Sequence, residues 1–133
     1  MSAVFADTWY YLALLNQDDA AHERVLQWSL DVKRPAVVTD FVLIEVGNAF
    51  SREPFRAKFV ELARSLRADA NTTVVPASRE LVDKGLDLFA RREDKEWSLT
   101  DCISFVVMRQ HGLTEALTGD HHFEQAGFTI FLK

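Results

Sequence analysis

The sequence predicts an α/β fold in which a parallel sheet is covered by helices on both faces. Short apolar, β-branched runs alternate with longer stretches of helical periodicity, and parallel strands need crossover connections of this kind. The chain has 133 residues, of which 48% are hydrophobic, and this is enough for one continuous core. Because it has only three prolines and five glycines and no linker-like stretch, we expect one domain over residues 1–133.

The first strand–helix unit is predicted at the amino terminus. The apolar run Ala3-Val4-Phe5-Ala6 ends at Asp7-Thr8, where a helical pattern begins without a breaker. A second helix is predicted after Asp18-Asp19, whose carboxylates can cap it and favour its positive end. Four apolar residues of this helix are expected to be buried: Val25, Leu26, Trp28 and Leu30.

The remaining elements follow Pro35 and keep the same alternation. Ala36-Val37-Val38 predicts a strand, and Thr39 predicts the N-cap of an apolar helix that runs to Phe50. Helices are then predicted at 55–67 and 81–89, with a strand between them at 72–76. The last elements are a helix opened by Ser98 and ended by Gly112, and strands at 115–118 and 129–132.

The charge balance excludes a broad basic face for polyanions. Fifteen Lys and Arg stand against twenty Asp and Glu, which gives a net charge of −5. Any nucleic-acid site must therefore be local. One basic strip exists between residues 52 and 67, and it is either a solvated helix face or a path for nucleic acid; its basic residues are Arg52, Arg56, Lys58, Arg64 and Arg67.

The amino terminus makes a poor signal peptide, because no basic region precedes its apolar stretch and Asp7 interrupts it. No apolar run approaches the roughly 20 residues that span a bilayer. The single cysteine, Cys102, cannot form an internal disulfide, which fits a reducing compartment. We expect a cytoplasmic protein with no membrane role.

Two aspartates directly follow predicted strands. Asp7 and Asp120 stand where strands of an open α/β sheet end, and ligands bind at that edge. An aspartate in this position is also a common helix N-cap. Both interpretations remain open for each residue.

Glu45 lies in a predicted helix that is apolar on most sides, so we expect its side chain to be buried. A buried carboxylate is costly unless it is paired, hydrogen-bonded or bound to a metal, which favours a ligand role. Asn48 follows about one helical turn later and either orients Glu45 or is a surface amide.

Asp101 has two interpretations as well. Ser98-Leu99-Thr100-Asp101 resembles a capping box, which explains the acid without any chemistry. However, four acids without an equal set of bases would repel one another if they were clustered. A hard divalent cation such as Mg²⁺ or Mn²⁺ would resolve this conflict, since such ions prefer oxygen ligands.

The four histidines do not predict a zinc site. His22 and His111 are isolated in the sequence. His121 and His122 are adjacent, and we expect their side chains to point apart.

Four motifs in this order resemble the PIN domain, especially VapC-type toxins. They are Asp7-Thr8, Glu45 with Asn48, Ser98-Leu99-Thr100-Asp101-Cys102, and Leu117-Thr118-Gly119-Asp120-His121-His122-Phe123. The resemblance implies a PIN-like three-layer α/β/α sandwich with a mostly parallel central sheet. It also implies a Mg²⁺- or Mn²⁺-dependent endoribonuclease that cleaves single-stranded or loop RNA. The His121-His122 pair departs from many relatives, which carry other polar residues there.

The resemblance also implies roles for individual residues and partners. The acids expected to bind metal and catalyse are Asp7, Glu45, Asp101 and Asp120, and Thr8, Asn48 and Thr118 are expected to support them. The basic charge of the strip, rather than the resemblance, is the reason to expect RNA contacts at Arg52, Arg56 and Lys58. VapC-type toxins are inhibited by a small antitoxin that docks near the acidic cleft, and they commonly form homodimers. We therefore expect a type II toxin of this kind.

Three alternatives remain at this point. In the first, the chain is a housekeeping PIN nuclease without an antitoxin; in the second, it is a non-catalytic PIN-like binding module. The third alternative is a phosphotransfer switch. A phosphotransfer switch would need an acidic pair after the first strand and a lysine after a late strand. Asp7 is instead followed by Thr8 and Trp9, and no such lysine is present.

Overall fold

A computed structural model describes residues 2–133, which form a five-stranded sheet with helices between the strands. All four strand pairings are parallel, and the strand order is β3-β2-β1-β4-β5. This confirms the predicted α/β/α class. The strands are β1 Val4–Ala6, β2 Ala36–Thr39, β3 Thr72–Val75, β4 Glu115–Leu117 and β5 Thr129–Phe131.

The sheet order reverses next to β1, and this determines where a ligand site can form. The chain moves outward through β2 and β3 on one side of β1, then crosses to β4 and β5 on the other side. Phe5 pairs with Val37 of β2 and with Ala116 of β4. A crevice therefore opens at the carboxyl ends of β1 and β4, the position at which open α/β sheets bind ligands.

Seven helices connect or follow the strands within residues 2–133: α1 Thr8–Leu15, α2 His22–Asp31, α3 Asp40–Ala49, α4 Phe55–Ala68, α5 Arg79–Arg91, α6 Leu99–Gln110 and α7 His121–Gln125. Helix α1 packs against α2, α3 and α4, α3 also packs against α4, and α5 packs along α6. None of the helices in the described part of the chain is long and apolar enough to cross a membrane.

Side-chain caps define two of the predicted helix starts. The Thr39 hydroxyl accepts a hydrogen bond from the Val42 N–H at 3.1 Å, as predicted. Helix α6 begins with the predicted capping box of Ser98 and Asp101. Its end is marked by Gly112, whose positive φ of 67° is favourable for glycine.

Helix α2 differs from the prediction in its start and in its buried face. Its N-cap is Ala21 rather than Asp18-Asp19, because the Asp19 carboxylate accepts a bond from the Ala21 N–H in the preceding turn. Val25 is fully buried, but Leu30 is 59% exposed. Five residues turn a helix by about 140° beyond a full rotation, so Leu30 lies away from the buried face. The prediction that Leu30 is buried was wrong.

An aromatic cluster holds α7 next to the crevice at the ends of β1 and β4. The ring of Phe123 in α7 lies 4.9 Å from that of Phe105 and 6.2 Å from that of Phe5, measured between centroids. All three side chains are completely buried. Because Phe123 ties α7 to α6 and β1, the residues just before it are held against the crevice.

Candidate active site

The crevice beside β1 and β4 is a pocket of about 330 cubic ångströms, and the four predicted acids line it. Asp7, Glu45, Asp101 and Asp120 come from four separate elements or element ends. Thus the structure brings together residues that are far apart in the sequence. The other lining residues are Thr8, Trp9, Leu12, Glu96, Ser98 and His122.

Asp7 occupies the N-cap position of α1, but its side chain makes no capping hydrogen bond there. Only 4% of the residue is exposed, and its carboxylate accepts a 2.9 Å hydrogen bond from the Thr118 hydroxyl. Burial raises the pKa of Asp7 from 3.8 to about 7; the Thr118 bond opposes this rise, and the nearby charges of Asp101 and Asp120 add to it. Ionising this buried carboxylate therefore costs free energy, and helix capping does not explain why it lies at the pocket.

Thr118 connects two of the acids. Its hydroxyl donates to Asp7 and accepts a 3.0 Å hydrogen bond from the Asp120 N–H. The next residue must be small, since a Cβ atom on Gly119 would lie 2.5 Å from the Trp9 ring. The hydrogen bonds of the Thr118 hydroxyl and the close contact of Gly119 with Trp9 therefore fix the segment Thr118-Gly119-Asp120.

Asp101 serves in the capping box and also faces the pocket. The Ser98 hydroxyl accepts from the Asp101 N–H at 3.0 Å, and the Asp101 carboxylate accepts from the Ser98 N–H at 3.1 Å. Burial raises the pKa of Asp101, although the Ser98 N–H opposes the rise. The same carboxylate oxygen lies 3.3 Å from Nδ1 of His122. Capping therefore accounts for only part of its surroundings.

Asp120 is the N-cap of α7, where its carboxylate accepts from the His122 N–H at 2.9 Å. The expectation that His121 and His122 point apart was wrong. Their ring centroids are 4.5 Å apart, and both Nδ1 atoms face Asp120. The short helix turns both side chains toward its cap.

Glu45 reaches the pocket, but it is half-buried rather than enclosed. The preceding residue, Ile44, is 57% exposed, so α3 is not buried on most sides as we expected. Its apolar surface lies partly along an open groove against α4. Asn48 is exposed and shares an adjoining hollow of about 200 cubic ångströms with Glu45, but it does not line the acidic pocket.

Thr8 lies beside Asp7 and lines the same pocket. It is 8% exposed, and its hydroxyl has no hydrogen-bond partner within residues 2–133. A buried hydroxyl without a partner is unfavourable in a completed site. This atom indicates that a further polar group belongs in the pocket.

The basic strip lies outside the acidic pocket. Arg52, Arg56 and Lys58 are exposed at the start of α4, and the Lys58 ammonium lies 5.6 Å from the centre of the Phe55 ring. At the far end of the strip, Arg67 pairs with Asp40 at 2.9 Å. Arg52, the first turn of α4 and exposed Arg64 therefore carry the part of the strip that is available to an anion.

Sequence reasoning missed two titratable residues that line the pocket. Glu96 is an exposed acid at its edge, and His122 lies between Asp101 and Asp120. The spacing Glu96-Trp97-Ser98 before the capping box was an available signal for the first. The sequence gives no signal for His122, because adjacent histidines are expected to point apart and its contact with Asp101 depends on the tertiary structure.

The model of the PIN domain family matches residues 4–129. The chain belongs to the PIN domain family. It is 31% identical to the 23S rRNA-specific endonuclease VapC20 of Mycobacterium tuberculosis, over 94% of this chain and 95% of that protein. The sheet order also differs from the 2-1-3-4-5 order of flavodoxin-like switch proteins.

Two solved structures share the fold of this chain. The crystal structure of M. tuberculosis VapC20, described as a sarcin-ricin loop cleaving toxin, matches with a TM-score of 0.85 and 26% identity, covering 95% of this chain and 96% of that one. A toxin–antitoxin complex from Klebsiella pneumoniae matches with a TM-score of 0.60 and 15% identity, covering 96% of this chain and 95% of that chain, which shows the fold alone.

Proposed function

We propose that this PIN domain is a Mg²⁺- or Mn²⁺-dependent endoribonuclease and the toxin of a type II toxin–antitoxin pair. The observation that carries the proposal is the set of four carboxylates around one pocket at the switch point of the sheet. Its likeness to a 23S rRNA-specific endonuclease over 94% of the chain supports the same reaction class.

The residues present fit a hard divalent cation. The donors are carboxylate oxygens, which Mg²⁺ and Mn²⁺ prefer. Thr8, whose hydroxyl has no hydrogen-bond partner among residues 2–133, lines the same pocket. Asp7, Glu45 and Asp101 would hold the ion, and Asp120 would either join them or orient a water molecule. When bound, the ion lowers the pKa of a coordinated water and neutralises charge on the scissile phosphate.

The protein's own groups position these ligands. Thr118 orients the Asp7 carboxylate, and its second hydrogen bond holds the backbone of Asp120. The capping box fixes the rotamer of Asp101. Asn48 has no such contact in the pocket and would act only from the adjoining hollow.

RNA is the proposed substrate, and a loop of 23S rRNA is the first substrate to test because the curated relative is specific for that molecule. With a net charge of −5, the protein offers only local attraction to a polyanion. Arg52, Arg56 and Lys58 are exposed and supply it in this proposal.

A small antitoxin and a second copy of the chain are the proposed protein partners. A groove of about 600 cubic ångströms between α3 and α4 is lined by Leu43, Ile44 and Val60. It runs along α3, the helix that carries Glu45. Exposed Leu86 and Phe89 on α5 add apolar surface that supports a homodimer. Sedimentation of the purified chain is expected to show a dimer, and a small reading frame beside its gene would distinguish a toxin from a housekeeping nuclease.

Cleavage of rRNA by wild-type protein and Asp101→Asn tests the function. We expect the wild type to cleave, EDTA to stop it and Mn²⁺ to restore it, while Asp101→Asn stays folded and inactive. The asparagine oxygen can still accept from the Ser98 N–H, so the helix start is preserved. If Asp101→Asn cleaves like the wild type, Asp101 is only a cap. If the wild type does not cleave RNA and metal does not raise its melting temperature, the chain is a binding module.

A further inference from the structure

The paired histidines after Asp120 have no task in the proposed reaction. His121 is an exposed residue whose side chain is 69% accessible, and its ring lies beside that of His122. Its Nδ1 atom is 3.8 Å from the Asp120 carboxylate oxygen, and Nδ1 of His122 is 3.4 Å from the same oxygen. One ligand atom from each of the three residues can be chosen so that all three lie within 4.8 Å of one another.

The two separations from the Asp120 carboxylate are close to the spacing of donors around a tetrahedral metal ion. Bonds of 2.0–2.2 Å to nitrogen and oxygen place two donors about 3.3–3.6 Å apart at the tetrahedral angle. The observed contacts of 3.4 and 3.8 Å need only small side-chain rotations to reach that range. Three protein ligands leave a fourth position for water.

We propose that Asp120, His121 and His122 form a second metal site, at the rim of the acidic pocket, for a divalent transition metal such as Zn²⁺. Two imidazole nitrogens and one carboxylate suit zinc and its neighbours, whereas Mg²⁺ prefers an all-oxygen set. The start of α7 disfavours a cation through its dipole, so the Asp120 carboxylate is essential to this site.

The site would link transition-metal binding to RNA cleavage, a consequence that rests on the proposed function. Asp120 belongs to both donor sets, and Nδ1 of His122 also lies 3.3 Å from Asp101. A zinc ion held by the histidines would therefore withdraw Asp120 from the acidic pocket and inhibit the reaction. Mg²⁺ would not bind at the histidines and would not inhibit through them.

His121→Ala tests the proposal, because His121 does not line the acidic pocket. Its side chain is exposed, so its removal should leave the fold intact. Zn²⁺ affinity is measured by competition with a chromophoric chelator, and Co²⁺ is used as a probe of tetrahedral geometry by its visible absorption. The matched control is His111→Ala, which removes another exposed histidine, at the end of α6.

We expect His121→Ala to weaken zinc binding at least about tenfold, as even the loss of an outer-sphere partner typically does. It should also abolish the tetrahedral Co²⁺ spectrum, whereas His111→Ala should change neither. Basal cleavage should be unchanged in His121→Ala, while inhibition by zinc is relieved. Equal zinc affinity in His121→Ala and wild type would overturn the site. Zinc binding that depends on His121 in a protein that never cleaves RNA would leave the site standing and refute the proposed nuclease.

Discussion

Replacing Asp7 with asparagine should stabilise the metal-free protein, and the gain should grow with pH. The pKa of Asp7 rises from 3.8 to about 7 because the carboxylate is buried. A raised pKa means that the folded state binds the proton more tightly than the unfolded chain does. Asp7 therefore costs no stability below about pH 4, and its destabilising effect develops as the pH rises from about 4 to 7 and is complete above that.

The size of the effect follows from the two pKa values. Each tenfold difference in proton affinity corresponds to about 1.4 kcal/mol, so ionised Asp7 destabilises the fold by about 1.5 kcal/mol at pH 5 and about 4 kcal/mol at pH 8. Asparagine keeps an oxygen that can accept from Thr118, and it does not titrate. Any packing cost of the amide is the same at both pH values. The gain from Asp7→Asn should therefore be about 2–3 kcal/mol larger at pH 8 than at pH 5.

Urea denaturation in EDTA, followed by tryptophan fluorescence at both pH values, measures this difference. Asp83→Asn is the matched control, since Asp83 is exposed on α5 and the variant has the same net charge. Its effect should not differ between the two pH values. An Asp7→Asn gain that is equal at pH 5 and pH 8 would refute the argument that burial holds this carboxylate against its ionisation.

Two further predictions concern the surroundings of the pocket. Thr118→Val removes the hydroxyl between two acids while keeping its shape, and we expect RNA cleavage to fall by about 10- to 100-fold with the protein still folded, as measured by single-turnover kinetics; unchanged cleavage would show that this hydroxyl does not position the site. Neutralising Arg52, Arg56 and Lys58 together should weaken RNA binding and lower the salt dependence of the binding constant, since fewer counterions are released; an unchanged slope in filter-binding titrations would identify the strip as a solvated helix face.

Much of the fold was predictable, because apolar periodicity and caps act locally. The strand before Asp7, the Thr39 cap and the capping box at Ser98 all appear where the sequence indicated them. The order of the strands was not predicted, since it depends on pairing between distant segments such as Phe5 and Ala116. The position of Asp7 in a crevice followed only from the rule for strand ends.

Errors arose where exposure depends on tertiary packing. The apolar run around Ile44 predicts a buried helix, but α3 leaves this side chain at an open groove against α4. Leu30 was misassigned because burial along α2 follows the face of Val25 rather than every apolar residue. The paired orientation of His121 and His122 depends on how α7 is anchored through Phe123, and adjacent sequence positions contain no information about that.

The chemistry of the cleaved ends tests the central claim most directly. If the four carboxylates hold a metal that activates water, the nucleophile is water and not the ribose 2′-hydroxyl. RNA cut by the purified chain in Mg²⁺ or Mn²⁺ should then carry 5′-phosphate and 3′-hydroxyl ends, as read by end-specific ligation and mass spectrometry, and EDTA should prevent the cut. Fragments ending in 2′,3′-cyclic phosphate, produced equally well in EDTA, would contradict the metal-dependent mechanism.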